Sequence, residues 1–443
     1  MLKFYQRINY LIGMLLIKIL GSNNLDKCFL IYFRIKAKNI ANSKKYYIAP
    51  RLLWGSTPLI NNKYWSEAMQ EIGFTSKTFI YGKPYSINEN RDFDYYFDGF
   101  NQFEMYKLII NICENFDIIH MPFTGFIPES RAILKKHEYE LFKTCGLKLV
   151  FIPYGGDAYL YSRIFNYSRK YALIYHYGKS GKDEYKIKKQ INKATENGDC
   201  IIGIPEGFSY WDIFSLNVLS INLIDWNPTI VKHFANGINS PVVIVHSPNH
   251  RKIKGTEFII KAVNELKQEG LQIEFLLLEG MKNSRVKQAL ERADILVDQI
   301  LKGYGLNLVE GMAMKAAVIS NLEGDEIPIK VYRRYSFLNE CPALNATPEN
   351  IKEQLKTLIL NPALRNELGD AGRQYVEKYH SYQTTQYMFS SIYDKIWYGK
   401  EFKLLDMFDP NEPRSYNNQS PIIEHPLVEN KIPAELMATL KKE

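Results

Sequence analysis

The chain has 443 residues, of which 46% are hydrophobic and 23% charged; this profile excludes a disordered protein and suits two globular domains of about 200 residues each. Its five cysteines are scattered and form no Cys-x-x-Cys pair, which argues against a disulfide framework or zinc site and favours the reducing cytoplasm. The net charge of +8 is concentrated in residues 1–45, which contain nine Lys or Arg and one acid, so the rest of the chain is formally neutral.

Residues 1–45 form a basic N-terminal arm with an apolar run at Tyr10–Ile17. This run is too short to span a bilayer, which takes about 20 apolar residues. Two interpretations stay open: the arm lies on an anionic membrane surface, or it is a helix packed on the protein with a solvated basic face. The first makes the protein peripheral at the inner face of the cell membrane, and deleting residues 1–40 should then release it without unfolding. A nucleic-acid partner is disfavoured, because the arm has no base-stacking platform.

Strands and helices alternate through residues 46–225, which predicts a first α/β domain with a parallel sheet. Its predicted strands are 46–49, 78–81, 117–120, 147–152 and 200–204, and its predicted helices are 59–72, 103–116 and 129–145.

A second α/β series occupies residues 226–398, after a crossover at 205–240 that contains Pro and Gly. Its predicted strands are 242–246, 273–278, 294–297 and 317–320, and its predicted helices are 256–268, 283–292, 306–315, 348–360, 362–379 and 382–397. Residues 399–443 are interpreted as a tail that either wraps over the surface or is partly disordered.

The first candidate binding loop is 246–256, which lies directly between a strand and a helix. Ligands of open parallel sheets bind beyond the carboxyl ends of the strands. Arg251 and Lys254 stand beside Gly255 at the helix start, where free N–H groups also favour an anion, and this combination suits a diphosphate. The alternative is a basic surface turn in which Thr256 caps the helix.

The second candidate loop is 298–314. Gly303 and Gly305 allow the backbone to approach a ligand closely at the start of the next helix. Glu310 lies one turn into that helix, where its carboxylate can accept two ribose hydroxyls. Because both loops belong to neighbouring strand–helix units, we expect them to form one nucleotide site.

These motifs resemble family 4 of the GT-B glycosyltransferases, over roughly residues 45–398. Arg251 and Lys254-Gly255 match the Arg and Lys-Gly of that family, and Gly303-Tyr304-Gly305 and Glu310–Ala313 match its Gly-Phe-Gly and Glu-Ala-Met-Ala. The sequence departs from the pattern at Lys302, where the family has a Glu that binds the donor sugar or supports the leaving phosphate. Lys315 and Ala317 replace the usual Gly and Pro.

The resemblance implies an α/β GT-B fold, with two Rossmann-like domains facing a cleft. It also implies retaining transfer of a hexose-type sugar from a nucleoside-diphosphate sugar to a saccharide or lipid-linked saccharide, in bacterial surface polysaccharide or glycolipid synthesis. No metal or other cofactor is expected. The alternatives are a catalytically silent GT-B subunit that stabilises an active partner, and an epimerase, for which we identify no additional acid–base residues.

The same resemblance implies a role for each candidate site residue. Arg251, Lys254, Gly255, Gly303 and Gly305 would hold the diphosphate, whereas Lys302, Tyr304 and Glu310 would contact ribose or sugar. His120 and Asp157, in the motifs Asp117-Ile-Ile-His and Tyr154-Gly-Gly-Asp, would lie near the anomeric centre or acceptor as catalytic residues. For these two, a packed histidine and a β-turn are the structural alternatives.

Overall fold

The computed structural model describes residues 19–46, 48–82, 88–89, 92–97, 102–164, 166–176, 183–203, 214–215, 219–229, 235–322, 340–401 and 421–440. The apolar run Tyr10–Ile17 and much of the predicted crossover lie outside them. Within the described part, the helices lack the combined length and hydrophobicity needed to cross a bilayer.

The N-terminal half is built on a seven-stranded sheet in the order β3-β2-β1-β4-β5-β6-β7, in which every neighbouring pair is parallel. The strands are β1 (Leu52–Trp54), β2 (Ser76–Tyr81), β3 (Tyr95–Phe97), β4 (Ile118–Met121), β5 (Lys148–Phe151), β6 (Cys200–Gly203) and β7 (Phe214–Ser215). The helices are α1 (Ser22–Ser43), α2 (Ile60–Glu71), α3 (Gln102–Asn115), α4 (Ala132–Thr144), α5 (Tyr167–His176) and α6 (Glu184–Asn197).

Helix α1 is part of the core of this half. It packs on α3 and α4 through a buried face that includes Leu25, Phe29, Phe33 and Ala37. The packed-helix interpretation of the arm therefore applies to residues 22–43. The expectation that deleting residues 1–40 leaves the fold intact is wrong, because the deletion would remove these apolar contacts and uncover the core.

The C-terminal half is built on a five-stranded parallel sheet in the order β12-β11-β10-β8-β9. The strands are β8 (Val242–His246), β9 (Ile273–Leu277), β10 (Ile295–Val297), β11 (Ala317–Ser320) and β12 (Leu344–Asn345). The helices are α7 (Arg251–Lys254), α8 (Thr256–Gln268), α9 (Asn283–Arg292), α10 (Leu306–Ala313), α11 (Ile351–Leu360) and α12 (Pro362–Tyr379). Strands β10 and β11 are buried throughout, as parallel strands covered by helices on both faces should be.

The last long helix, α13 (Tyr382–Ile396), returns to the N-terminal half. Phe389 and Tyr393 pack in one cluster with Trp54 and Trp65. The predicted C-terminal domain, 226–398, thus includes a helix whose apolar contacts are with the other sheet. No local pattern signals this crossing, because the periodicity of α13 is that of any helix with one buried face.

Part of the tail packs on the C-terminal sheet. Ile423 and Leu427 are buried, and the Asn430 side chain donates to the carbonyls of Cys341 and Ala343 at 2.6 and 3.1 Å. A short helix, α14 (Ala434–Leu440), follows. The surface-wrapped alternative therefore applies to residues 421–440.

Candidate functional site

The two candidate loops meet at the carboxyl ends of neighbouring strands, β8 and β10. The Ile300 amide donates to the Lys254 carbonyl at 3.1 Å. Gly255 has φ 77°, and a Cβ placed there would lie 2.5 Å from Cγ1 of Ile300. Glycine is thus required by both the backbone conformation and the close approach of the second loop. The two loops are therefore in direct contact.

An ion pair joins these loops beneath the surface. The Lys254 ammonium lies 3.3 Å from Oδ1 of Asp298, whose side chain is fully buried. The same carboxylate accepts from the Asn307 side chain at 3.3 Å and from the Ser320 hydroxyl at 3.4 Å. Lys254 is therefore held in place by an acid at the end of β10. We did not single out Asp298 from the sequence, although an acid directly after a buried strand is a usable signal.

Glu310 lies in α10 with 8% of its surface exposed, and no described residue donates a hydrogen bond to its carboxylate. Burial raises the pKa of this carboxyl to about 8; nearby Lys254 lowers it and Asp298 raises it further. A largely buried carboxyl with a raised pKa and no protein donor, at the start of a helix beside a lysine, is a candidate for a role in ligand binding.

Side chains of the N-terminal half cover this acid. Tyr64, from α2, is buried, and its pKa is raised by burial and then by the charge of Glu310. Its hydroxyl accepts from the Trp226 indole at 3.2 Å, and Leu306 packs in the same small apolar cluster. The first turn of α10 therefore faces the N-terminal half of the protein.

A group of basic side chains lies at the same place. The pKa of His250 is lowered by burial, and then by the positive charges of Lys254 and Lys302, so these three groups are close together. The Lys302 ammonium lies 5.5 Å from the ring centroid of Tyr159 in the N-terminal half. Basic side chains of the C-terminal half thus lie beside Tyr159 of the N-terminal half.

Helix α7 also connects the halves. Ile253 packs into the apolar core of the N-terminal half, and α7 lies against α5. The loop that carries Lys254 therefore cannot move independently of the N-terminal half while Ile253 stays buried.

Arg251 is placed differently from Lys254. Its guanidinium donates to Glu257 at 2.6 Å and to Glu279 at 2.7 Å on the exposed side of α7. The structure does not bring Arg251 to the ion pair of Lys254, so binding a diphosphate would require it to leave these two carboxylates.

The glycine turn has its own internal support. Gly305 is the N-cap of α10, so no side chain caps the first amides of that helix. Its φ of −148° is an ordinary extended value, and what restricts this position is the Gln299 amide, 3.2 Å from the place of a Cβ. That amide also donates to the Gly303 carbonyl. Gly305 thus permits close packing and leaves the helix start open to a ligand.

The hydroxyl of Tyr304 turns away from the cleft. It donates to Nε2 of His380, whose Nδ1 donates to the Leu219 carbonyl, and its oxygen lies 3.0 Å from the Tyr375 hydroxyl; both partners are in the body of the C-terminal half. In this arrangement the Tyr304 hydroxyl is used within the C-terminal half, so it would have to leave these partners to contact a sugar as predicted.

His120 ends β4 and has both ring nitrogens engaged. Nδ1 lies 3.2 Å from the Leu53 carbonyl and must donate to it; Nε2 then accepts from the Tyr393 hydroxyl at 2.9 Å. The ring stacks on Trp54 with centroids 3.5 Å apart. Burial lowers the pKa of His120 to about 3, so the ring is neutral. This geometry favours the packed histidine over the predicted catalytic residue.

Asp157 organises the loop after β5. Oδ1 accepts from the amides of Tyr154 and Gly155 at 2.9 and 3.0 Å, and Oδ2 accepts from the Phe123 amide at 2.9 Å. Burial raises the pKa of Asp157 to about 6, although the three hydrogen bonds from backbone amides lower it. Asp157 is thus the centre of a turn that fixes the loop, and the predicted catalytic role is not supported by its placement.

A small, open depression lies at the carboxyl ends of β1, β4 and β5 in the N-terminal half. Its lining includes Thr57, Asn62, Trp65, His120, Pro153 and Tyr154. Polar and aromatic side chains therefore line the concave surface that the N-terminal half presents at this edge.

No protein-family model matches the sequence, and no curated protein matches it. Solved structures share its fold. The catalytic domain of starch synthase IV from Arabidopsis thaliana, bound to ADP and acarbose, aligns with 79% of this chain and 100% of its own length, at 11% identity and a TM-score of 0.51. A putative UDP-N-acetylglucosamine 2-epimerase from Listeria monocytogenes aligns with 80% of this chain and 98% of its own length, at 10% identity and a TM-score of 0.47. The likeness to the starch synthase domain concerns the fold alone, and together with the two parallel sheets it confirms the expected GT-B architecture.

Proposed function

We propose that this chain is a glycosyltransferase that moves a hexose-type sugar from a nucleoside-diphosphate sugar to a saccharide acceptor. Retention at the anomeric carbon follows from the family resemblance. The observation that carries the proposal is Glu310, a buried carboxylate to which no described residue donates a hydrogen bond, beside Lys254 at the start of α10.

The nucleotide end of the donor fits this place. A ribose supplies two neighbouring hydroxyls, and a carboxylate accepts both. Binding would therefore provide Glu310 with hydroxyl donors that the protein does not supply, in place of solvent. The starch synthase with the same fold is bound to ADP, which is the nucleotide part of such a donor.

The diphosphate end would lie against the cations and the open helix start. Lys254, Lys302 and the amides that follow Gly305 would stabilise the negative charge that develops on the departing diphosphate. Because these groups are fixed before the reaction, little reorganisation is needed, and we expect no metal ion or other cofactor. Lys302 would add positive charge beside the leaving group, where the family pattern has a Glu that binds the donor sugar or supports the leaving phosphate.

The acceptor would enter from the N-terminal half. The depression beside Tyr154 and Trp65 offers hydroxyl, amide and aromatic surfaces, which suit a saccharide. A lipid-linked saccharide at the inner membrane face agrees with the basic N-terminal residues, and surface polysaccharide or glycolipid synthesis is the process that we expect.

The test is binding to a panel of nucleoside diphosphates and nucleotide sugars, observed by ligand-detected NMR, followed by nucleotide release with membrane extracts as the source of acceptor. We expect one nucleotide to bind, and that binding to fall in Glu310→Ala but not in the surface variant Glu196→Ala. Absence of binding to every nucleotide would overturn the donor site. Binding without release under all acceptors would instead favour the silent partner subunit.

A further inference from the structure

The outer face of helix α1 carries apolar side chains that the protein leaves in solvent. Ile31, Tyr32 and Ile35 are 64%, 54% and 69% exposed; the two isoleucines lie opposite the buried face of the helix and Tyr32 lies on its flank. Ile19 and Leu20, just before the helix, are exposed as well. We call the surface formed by Ile31, Tyr32 and Ile35 the outer stripe. An apolar stripe of this kind usually marks an interaction surface.

The charges around the outer stripe are positive. Lys27 and Lys38 project from the same outer side, and no described carboxylate pairs with either of them. The only acid of the helix, Asp26, is buried and accepts from the Tyr106 hydroxyl at 2.7 Å. The helix therefore offers its partner two unneutralised lysines beside apolar groups and no carboxylate of its own.

The helix has a defined direction relative to the cleft. At its start, the Ser22 hydroxyl donates to the Gln102 side chain at 3.0 Å and accepts from Arg131 at 3.2 Å, close to the carboxyl edge of the sheet. Beyond its end, Lys44 reaches Asp117 at 2.7 Å, before β4 begins. Helix α1 thus runs from the cleft edge of the N-terminal half to the opposite edge.

We infer that α1 docks on an anionic lipid surface through the outer stripe, Lys27 and Lys38, with the helix in the plane of the membrane and its first turn, at the cleft edge, beside the bilayer. Isoleucine and tyrosine would enter the headgroup region while the two lysines meet the lipid phosphates. The charged residues that precede Ser22 in the sequence are all basic as well. A surface with many negative charges, such as an anionic membrane, therefore suits this part of the chain better than a protein with a few fixed carboxylates. The membrane would then lie along the side of the N-terminal half, where a lipid-linked acceptor has a short path to the cleft.

The experiment compares sedimentation of the full chain with vesicles of phosphatidylcholine alone and of phosphatidylcholine with about one-third phosphatidylglycerol. We expect binding to the anionic vesicles only, and its loss in high salt. The double variant Ile31→Ser/Ile35→Ser should reduce the partition coefficient roughly tenfold or more, and Lys27→Gln/Lys38→Gln should reduce it by at least about tenfold.

The matched control is Ile224→Ser/Ile238→Ser, which removes two exposed isoleucines of the C-terminal half and should bind vesicles as the unaltered protein does. Circular dichroism establishes that each variant is folded. Absence of binding to anionic vesicles, or equal binding by the outer-stripe variant, overturns the inference. Lipid-independent dimerisation that Ile31→Ser/Ile35→Ser abolishes would overturn it too, because the stripe would then be covered by a second copy. Nucleotide affinity is measured on the same variants, so that failure of the donor site and failure of membrane docking are separate results.

Discussion

The Lys254 ammonium lies 3.3 Å from the buried carboxylate of Asp298, and this pair joins the loops that follow β8 and β10. Lys254→Ala removes a cation from the proposed diphosphate site and leaves Asp298 with only its neutral hydrogen-bond donors. We expect at least a tenfold loss of nucleotide affinity by calorimetry and a fall of about 2 kcal/mol in the free energy of unfolding. Lys252→Ala, an exposed neighbour on the same turn, is the control. Equal affinity losses in the two variants would mean that the turn attracts nucleotides by general charge alone.

Gly255 tests whether the contact between the loops is essential. Gly255→Ala places a methyl group 2.5 Å from Ile300 at φ 77°, whereas Gly270→Ala at φ 94° meets open space. Gly270→Ala measures backbone strain alone and should lower the free energy of unfolding by about 1 kcal/mol. We expect Gly255→Ala to lower it by about 2 kcal/mol more, because the methyl group also clashes with Ile300. Urea unfolding gives both values, and nucleotide binding should weaken only in Gly255→Ala. If the two variants lose the same stability, the loops can separate at little cost.

Glu310 predicts an unusual pH dependence of stability. Burial raises its pKa from 4.5 to about 8, so between these values the folded protein holds a proton that the unfolded chain releases. Stability therefore falls as pH rises across this window. Glu310→Gln removes this penalty, and we expect the ligand-free variant to exceed the unaltered protein in free energy of unfolding by up to about 5 kcal/mol above pH 8, with the difference closing toward pH 5.

The same carboxyl should control nucleotide binding in the opposite direction. Only the ionised form accepts two ribose hydroxyls, so affinity in the unaltered protein should rise as pH passes through about 8. Glu310→Gln should bind more weakly and show no such rise, by calorimetry across that range. A variant that retained the pH-dependent rise would show that another group is responsible.

Tyr393→Phe tests the structural role of His120. The hydroxyl that it removes donates to the buried Nε2 of His120 at 2.9 Å. We expect a loss of about 1–2 kcal/mol in free energy of unfolding and unchanged nucleotide affinity. Tyr398→Phe, a partly exposed neighbour, should leave both unchanged. Loss of the proposed transferase activity in Tyr393→Phe at full stability would instead assign His120 a part in the chemistry.

Local pattern was sufficient to predict much of this fold. Two loops could be identified because their signals are local in the sequence. The first loop has the apolar strand β8 followed by the charges of α7 and Gly255, and the second has the glycine before α10; the structure brings these two loops together. The strand–helix alternation likewise predicted two parallel sheets, because each element signals its own period.

What the sequence could not supply were partners far along the chain. Lys254 and Asp298 are 44 residues apart, and His120 and Tyr393 are 273 apart. The local motifs around Asp157 and His120 do not determine whether these side chains bind a ligand or the protein itself. For Asp157 the answer depends on the amide of Phe123, 34 residues away, and only the folded arrangement provides that contact.

The return of α13 to the N-terminal sheet has a practical consequence for dissecting this protein. A gene fragment that ends near residue 225 would encode a half-protein whose sheet lacks the cover of Phe389 and Tyr393, and the complementary fragment would display those side chains with nothing to pack on. Each fragment would expose an apolar surface that the other fragment covers in the intact protein. Co-expressed fragments should therefore reassemble, whereas either one made alone should precipitate, and a separately folding N-terminal half would have to be made with residues 382–397 fused to it by a linker.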